Sequence, residues 1–264
     1  MPDEPKLLVD VGMDNMPFPM KVASRRDPEG QPTVATISIS ARIVNEFEAQ
    51  WINRFIRILH RHRDKIGTKT LRVNILDYLK ELKATSVKID FEYPYFVEKR
   101  TPVSNEKCLV RYLCTYSVKV SPSDSYPKVT FEMDIPAITT DPASEPKSDG
   151  GLFGQMSIIR IAVQPHNEVY PEDLTDIVDR HALAPIYSFM AQEDKAHVIQ
   201  RVHSSKRSSV VMVDAIKDEL ARTSNIEWYS VRCSNHSILH SYSTLVGTEK
   251  SMWIPCSCYD FEEL

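Results

Sequence analysis

A long polar segment between two apolar stretches holds side chains that could do chemistry. Residues 134–157 read D-I-P-A-I-T-T-D-P-A-S-E-P-K-S-D-G-G-L-F-G-Q-M-S. Apolar residues alternate over 129–135 before this segment, and an apolar run at 158–163 follows it. A long loop between two strands is where a rigid sheet presents binding and catalytic residues. We therefore expect the functional site at this loop.

Two histidines near the C-terminal end form a second candidate group. His236 and His240 lie in N-H-S-I-L-H, and strict alternation puts both on one strand face if no bulge intervenes. Two imidazoles with a carboxylate and open positions form the facial triad of non-haem Fe(II) oxygenases. The alternative is that each is an ordinary hydrogen-bonded histidine, because short histidine spacing alone is a weak signal.

The composition indicates a cytoplasmic protein with a large core. The 264 residues suffice for one large domain or two fused modules. A formal net charge of -4 provides no basic surface for nucleic acid. No apolar run is long enough to span a bilayer, and no N-terminal signal segment is visible, so we expect no membrane partner. Five cysteines, an odd and small number, argue against a disulfide framework.

Hydrophobic periodicity predicts two halves with the same order of elements. In the first half we expect an edge strand before residue 30, a strand at 33–44, helices at 45–62 and 68–83, and strands at 87–91 and 110–120. In the second half the strands are expected near 128–139, 155–165, 225–233 and 239–246, with helices near 171–183 and 208–222. Each half reads β-β-α-α-β-β. We therefore expect a first module at residues 1–125 and a second at 126–264.

The loop resembles the active-site loop of the type IB GTP cyclohydrolases, tunnelling-fold (T-fold) enzymes that open the purine ring of GTP. Their pattern there is P-V-T-S-x-C-P-C-S-K-x-x-S-D-x-G-x-H-N-Q-R. The residues that match it without a gap are Pro136, Thr139, Pro142, Ser144, Ser148, Asp149, Gly151 and Gln155. Gln31 and residues 33–35 also match the family's Q-H-T-V-A, and Arg54 and Phe55 match its M-S-R-F. The likeness spans roughly residues 12–247.

The resemblance implies an α+β fold: a tandem T-fold of two ββααββ modules, with antiparallel sheets that carry paired helices on one face. It also implies an oligomeric barrel with active sites at subunit interfaces, so we expect a homo-oligomer, a dimer or a tetramer. Uncovered sheet faces and edges in an isolated subunit favour the same expectation. The implied ligand is a small nitrogen heterocycle or a nucleoside-like molecule.

Several residues that serve the reaction in this family are replaced here. The two loop cysteines of the family become Asp141 and Ala143, and its loop histidine becomes Phe153. The ligand Glu of S-C-E-L-Y aligns with Pro185, the catalytic Glu of D-E-K-x-V-T-E with Gln200, and the ligand His of E-S-I-H-N-H with Leu239. Proline, phenylalanine and leucine cannot bind a metal, and glutamine cannot exchange a proton at neutral pH. We therefore expect the chain not to be a GTP cyclohydrolase.

Three hypotheses remain for the site. In the first, Asp141, His236 and His240 bind a divalent metal, Fe(II) in preference to Zn, in a non-haem iron oxygenase, because a carboxylate is a harder donor than the thiolate it replaces. In the second, Asp141 is an ordinary turn residue and the protein is a silent binding or regulatory subunit. In the third, the protein is a metal-dependent hydrolase similar to the GTP cyclohydrolases.

The other site residues are assigned from their positions in the family pattern. Gln200, Asp149 and Gln155 are catalytic candidates. The substrate-binding candidates are Thr139, Thr140, Phe153 and Pro185. Further side chains that could reach the pocket, or could serve only a helix end or a solvated turn, are His181, His197, His203, Lys206 and Arg207.

Overall fold

The computed structural model of the chain describes residues 8–44, 50–121, 124–146 and 151–250. Within these ranges the chain forms nine strands and five helices. In order they are β1 (Leu8–Val22), β2 (Gln31–Val44), α1 (Gln50–His62), α2 (Thr68–Glu81), β3 (Ala84–Arg100), β4 (Lys107–Val120), β5 (Lys128–Thr140), β6 (Gly154–Pro165), α3 (Pro171–His181), β7 (Ala184–Pro185), α4 (Gln192–Ser204), α5 (Ser209–Arg222), β8 (Ile226–His236) and β9 (Ser243–Glu249).

The strands form one antiparallel sheet in the order β1-β2-β3-β4-β5-β6-β8-β9, with the short β7 paired to β5. Most neighbouring strands are joined by hairpins, because antiparallel strands can be connected by a short turn. Two connections carry helices instead: α1 and α2 lie between β2 and β3, and α3 to α5 lie between β6 and β8. All five helices of the described ranges therefore occur in these two connections.

The core lies between the helices and one face of the sheet. Strand β3 shows why, since its side chains alternate between buried and exposed from Val87 to Val97. Four tyrosines from β3 and β4 are among the largest fully buried side chains: Tyr93, Tyr95, Tyr112 and Tyr116. Helices α2, α3 and α5 contact strands of the sheet directly, so the apolar stripe of each helix closes the core.

No helix of the described ranges packs on the opposite face of the sheet, which carries ion pairs between neighbouring strands. Arg160 binds Asp134 through two hydrogen bonds of 2.7 and 2.8 Å across β5 and β6, and Arg42 binds Asp10 in the same way across β1 and β2. The outer strands β1 and β9 each have one strand neighbour within the described ranges. Among the described residues, the backbone groups on the outer side of these two strands therefore have no strand partner.

The α+β class and the antiparallel sheet with helices on one face are confirmed. Most predicted strands are present, and several are longer: the one expected at 87–91 spans Ala84–Arg100, and the one expected at 225–233 spans Ile226–His236. The last strand, expected at 239–246, begins later than predicted and spans Ser243–Glu249. The helix predicted from residue 45 is described from Gln50. Helix α4 was not predicted, so the second half carries a third helix. The division at residue 125 into two modules stays a prediction.

None of the five helices in the described part of the chain is long and apolar enough to cross a membrane.

Candidate functional site

The candidate loop follows β5 at Asp141 and leads into β6, and we call it the 141–155 loop; it begins with a tight turn that Asp141 organises. Its carboxylate Oδ1 accepts a hydrogen bond from the amide of Ala143 at 2.9 Å, and its carbonyl accepts from the amide and hydroxyl of Ser144. The amide of Asp141 donates to the carbonyl of Phe153 at 3.0 Å, which ties the two ends of the loop together. Asp141 is buried, and its second oxygen, Oδ2, has no hydrogen-bond partner among the described residues. A buried carboxylate oxygen without a donor is costly, and the described residues of one chain supply no donor to Oδ2.

A chain of hydrogen bonds lies directly beneath this turn. Ser157 donates to Asn235 Oδ1 at 2.7 Å, so its proton is used and Thr139 must donate to Ser157 across 2.8 Å. Thr139 in turn accepts from the amide group of Gln155 at 3.2 Å. All four side chains are buried. The order Gln155, Thr139, Ser157, Asn235 therefore has one consistent direction of donation.

Asn235 extends the chain to the helix that follows the site. Its Nδ2 donates to Ser209 at the start of α5, at 3.0 Å, and to Thr244 of β9 at 3.4 Å. The thiol of Cys233 also donates to Asn235 Oδ1 at 3.3 Å, and burial raises the pKa of this thiol to about 11. Cys233 is therefore protonated near neutral pH and serves as a donor, not as a thiolate ligand.

Thr140 fixes the segment that precedes α5. Its hydroxyl accepts from the amide of Arg207 at 2.7 Å, and its own amide donates to the carbonyl of Arg207 at 2.8 Å. The guanidinium of Arg207 donates to the carbonyl of His181 at 2.9 Å, at the C-terminus of α3. Arg207 thus caps a helix end, the ordinary role for a cation there.

Helix α4 covers the other side of the loop. His203 Nδ1 lies 2.5 Å from the carbonyl of Leu152, which makes it a donor to the loop backbone. Gly154 sits beneath this contact, where an added Cβ would lie 2.8 Å from Ile138 Cγ2 and 3.1 Å from Val202 Cγ1. Glycine therefore allows α4 to approach the β5–β6 hairpin closely.

The remaining site candidates are spread around this region. Phe153 is half-buried in the loop, and Pro185 lies in β7 opposite Ala137 of β5. Gln200 is exposed on α4. Asp149 lies outside the described residues. The catalytic and substrate-binding roles of these residues stay predictions.

The two candidate histidines do not share a strand. His236 is the last residue of β8 and is exposed, whereas His240 lies in the turn before β9 with its ring stacked on Tyr242 at 4.9 Å. Because His240 lies outside β8, strand alternation does not place the two side chains on one face of the sheet. In the described part of one chain, no three His, Cys, Asp or Glu side chains are grouped so that they could hold a metal ion. The site of Asp141, His236 and His240 stays a prediction that would need a second copy of the chain.

Other histidines have local partners. His181 Nε2 lies 2.7 Å from Glu219 Oε2 on α5, so it joins two helices. His197 is exposed on α4.

Sequence reasoning missed Asn235 and Ser157 as the centre of the polar chain. The signal was present: in β8 the buried positions alternate through Tyr229, Val231 and Cys233, and Asn235 continues that face. A polar side chain on a buried strand face needs buried partners.

Comparison with known proteins gives one consistent family. The protein-family model described as "Type I GTP cyclohydrolase folE2" matches residues 2–245 of this chain. Among curated relatives, "GTP cyclohydrolase FolE2" from Geobacter sp. (strain M21) is 29% identical over 241 residues, covering 91% of this chain and 89% of the relative. The protein of the same name from Pelobacter propionicus is 26% identical over 249 residues, which cover 94% of this chain and 95% of that relative.

Solved structures show the same fold at much lower identity. Urate oxidase from Bacillus sp. TB-90 superposes with a TM-score of 0.57 at 11% identity, covering 91% of this chain and 99% of that one. A uricase from Bacillus fastidious gives a TM-score of 0.51 at 11% identity, with 93% and 94% covered. At this identity the likeness concerns the fold alone.

The expectation that the replaced ligands exclude GTP cyclohydrolase activity, and with it the iron oxygenase hypothesis, is wrong. The family match runs through almost the whole chain and includes the loop in which the replacements occur. A likeness over 241 residues outweighs the few substituted side chains as evidence of family membership.

Proposed function

Because the chain belongs to the type I GTP cyclohydrolase folE2 family, we propose that it takes GTP, or a closely related guanine nucleotide, as its substrate and opens the purine ring by hydrolysis. The family match over residues 2–245 carries this proposal, since that range contains the 141–155 loop, α4 and β8. The proposal concerns the reaction class and the base of the substrate.

We place the reaction at the end of the β5–β6 hairpin. Three features support this position: the buried Asp141 with its unpaired oxygen, the polar chain from Gln155 to Asn235 beneath it, and α4 held against it by His203. A satisfied polar network fixes the strand ends, so the loop is presented from a rigid base. Asp141 could accept a proton or a hydrogen bond from the substrate or from the attacking water.

A divalent metal does not fit the described residues of a single chain. Asp141 Oδ2 is a free oxygen donor, but Phe153, Pro185 and Leu239 offer no donor at the other family positions, and no group of three ligand side chains comes together there. We derive no catalytic step from a metal. The proposed ligands Asp141, His236 and His240, with Fe(II) or Zn, would have to come from more than one copy of the chain, and metal analysis of the purified oligomer tests this.

The proposed active form is a homo-oligomer, a dimer or a tetramer. The open edges of β1 and β9 support it, because an unpaired edge strand is a template for pairing with another chain. Both edge strands also carry exposed apolar side chains that a second chain could cover, including Leu8, which is 59% exposed, and Leu245, which is 46% exposed. Sedimentation velocity of the full chain measures the assembly, and a stable monomer would contradict this part of the proposal.

Equilibrium binding tests the choice of substrate without requiring turnover. Calorimetric titration of the full chain in the presence of a chelator should show saturable binding of GTP. ATP should bind more weakly, because a site that hydrogen-bonds one purine edge leaves polar groups unpaired with the other. Equal affinity for GTP and ATP, or no binding of either, would contradict a guanine-nucleotide site.

A further inference from the structure

A shallow cavity lies over β2, β3 and β4, on the face of the sheet opposite the described helices. Its volume is about 360 Å³, which is in the lower range of small-molecule sites. Ala41 and Val87, whose side chains are buried in the core, contribute backbone to its floor. We call it the β2–β4 cavity, and the side chains that line it are those of Asp10, Ser40, Arg42, Ser86, Lys88 and Lys119.

The lining of the β2–β4 cavity is positively charged, whereas the whole chain has a formal net charge of -4. Arg42, Lys88 and Lys119 are cations, and Asp10 is the one carboxylate among the described residues of the lining. Asp10 accepts hydrogen bonds from Nε of Arg42 at 2.8 Å and from Nη2 at 3.0 Å. Nη1 of Arg42 therefore remains as a donor. All three cations are exposed, so an occupant of the cavity can reach their charged groups.

Three lysines face one another across the strands at this cavity. In the pairing register Lys88 of β3 lies opposite Lys119 of β4, and Lys119 lies opposite Lys128 of β5. Residues directly opposite in an antiparallel pair point to the same face, with Cβ atoms about 4.5–5.5 Å apart. Like charges in such positions destabilise a sheet. The lysine row therefore costs stability unless negative charge compensates it.

The outer two lysines of the row have counter-ions, but the central one has none in the described part of the chain. Lys88 lies 2.8 Å from Asp90, and Lys128 lies 3.3 Å from Asp124. The ammonium of Lys119 has no ion-pair partner among the described residues. The positive charge at Lys119 is thus uncompensated within one chain, and an external anion there would offset the repulsion along the row.

The β2–β4 cavity also lies at an irregularity of the sheet. The pairing of β2 with β3 passes from Arg42 opposite Ser86 to Ile43 opposite Ala84, so Thr85 is an extra residue on β3. The hydroxyl of Thr85 donates to the carbonyl of Arg42 at 3.0 Å, which holds this bulge. A bulge bends its strand and is frequent beside functional sites. Here the bulge borders Arg42 and Ser86, which both line the cavity.

The donors of the cavity define the ligand that complements them. Two ammonium groups and the free N–H groups of Arg42 can only donate, and the hydroxyls of Ser40 and Ser86 can also donate. A single negative charge would not offset the three cations. Phosphate oxygens point in tetrahedral directions, so they can accept from donors on three strands at once, whereas the oxygens of a carboxylate lie in one plane. An anion with two or more phosphate groups therefore matches the lining best.

We propose that the β2–β4 cavity binds an oligophosphate anion, with its phosphate groups at Arg42, Lys88 and Lys119. A free inorganic triphosphate and a nucleotide both carry this group. The proposal goes beyond the proposed ring-opening reaction and does not depend on it, since no residue of the 141–155 loop lines the cavity.

Calorimetric titration of the full chain with inorganic triphosphate, in low-salt buffer with a chelator, tests the proposal. Triphosphate should bind saturably, and monophosphate should bind at least about tenfold more weakly, because it carries less charge. Added salt should weaken binding, because the cations are exposed. CTP, which has no purine, separates the two sources of the group. Affinity equal to that of triphosphate would assign the cavity to nucleotides, and much weaker binding would assign it to the free inorganic anion.

Substitutions of the lysine row locate the binding. Lys119→Gln and Lys88→Gln should each weaken triphosphate binding at least about tenfold. Lys217→Gln on α5 removes the same charge outside the cavity and should leave binding unchanged. Triphosphate should raise the melting temperature of the wild type more than that of Lys119→Gln, because a ligand stabilises the folded state in proportion to its affinity.

Circular dichroism shows that each variant is folded before its affinity is compared. Absence of saturable triphosphate binding, or unchanged affinity in both folded lysine variants, would overturn the proposal. So would citrate binding as tightly as triphosphate, because the lining would then select negative charge and not phosphate groups.

Discussion

The carboxylate of Asp194, in the first turn of α4, accepts a 2.7 Å hydrogen bond from the hydroxyl of Ser104 in the β3–β4 hairpin. It also accepts from the amides of Val103 and Ser104 at 2.8 and 2.9 Å, and from the amide of Ala191 at its own helix start at 3.0 Å. Asp194 is fully buried. One side chain therefore both caps α4 and anchors it to a hairpin 90 residues away, and α4 in turn covers the 141–155 loop.

Asp194 should make the stability of the protein depend on acid pH. Burial tends to raise the pKa of this carboxyl, but the hydrogen bonds from Ser104, Val103 and Ala191 outweigh burial and lower the pKa from its ordinary value of 3.8 to about 2. Its contribution is therefore complete above the unfolded value of 3.8 and is lost as the pH falls through about 2. Chemical unfolding of wild type and Asp194→Asn from neutral to acid pH measures it.

The wild type should be more stable than Asp194→Asn near neutral pH, and the difference should shrink below pH 3.8. Asp218→Asn, an exposed change on α5, serves as the control and should show no such convergence. A stability difference that stays constant down to acid pH would contradict the assigned role of the charge.

Ser157→Ala should destabilise the protein by about 1–3 kcal/mol, because it leaves Asn235 Oδ1 without its strongest donor inside the core. Urea unfolding measures the change. Ser234→Ala is a matched control, because Ser234 lies next to Asn235 on β8 with its side chain on the opposite face of the sheet. It should change the free energy of unfolding by less than about 0.5 kcal/mol. Equal effects of the two variants would show that the polar chain does not stabilise the site.

Gly154→Ala should cost about 1–3 kcal/mol through overpacking, since its methyl group would meet Ile138 and Val202. The expected result is a lower melting temperature, together with faster proteolytic cleavage within α4 as the helix is pushed from the hairpin. Gly247→Ala in β9, where the nearest atom is 3.3 Å away, should cost less. Unchanged stability of Gly154→Ala would contradict the close packing of α4.

Asp141→Asn should preserve the turn, because an asparagine oxygen can still accept from the amide of Ala143. The expected cost is under about 1 kcal/mol, measured by thermal unfolding. Asp141→Ala loses that acceptor and should cost more. If both substitutions destabilise the protein equally, the hydrogen bond to Ala143 does not hold the turn.

Eight of the nine described strands and the helices α1, α2, α3 and α5 could be predicted from the sequence because their buried faces follow a regular period. The strand β7 was not predicted, because its two residues are too few to show a period. Helix α4 was not predicted either, since only Asp194 and Val198 of its side chains are buried and no apolar stripe marks it. The location of the loop followed from its length and polarity. The positions of His236 and His240 relative to each other could not be predicted, because β8 ends at His236 and the chain turns before His240. Hydrophobic periodicity within one chain also cannot predict which residues a second subunit would contribute to the site, because that depends on how the subunits assemble.

The most direct test of the account is conversion of GTP by the purified full chain, supplied in turn with zinc, manganese and anaerobic iron(II). We predict a ring-opened product, detected by chromatography and by loss of the purine absorption band. Asp141→Asn should lower the rate at least about tenfold if its unpaired oxygen acts in the reaction, whereas Asp214→Asn should match wild type. Absence of any ring-opened product with every metal, from protein shown to be folded and assembled, would contradict the proposed function.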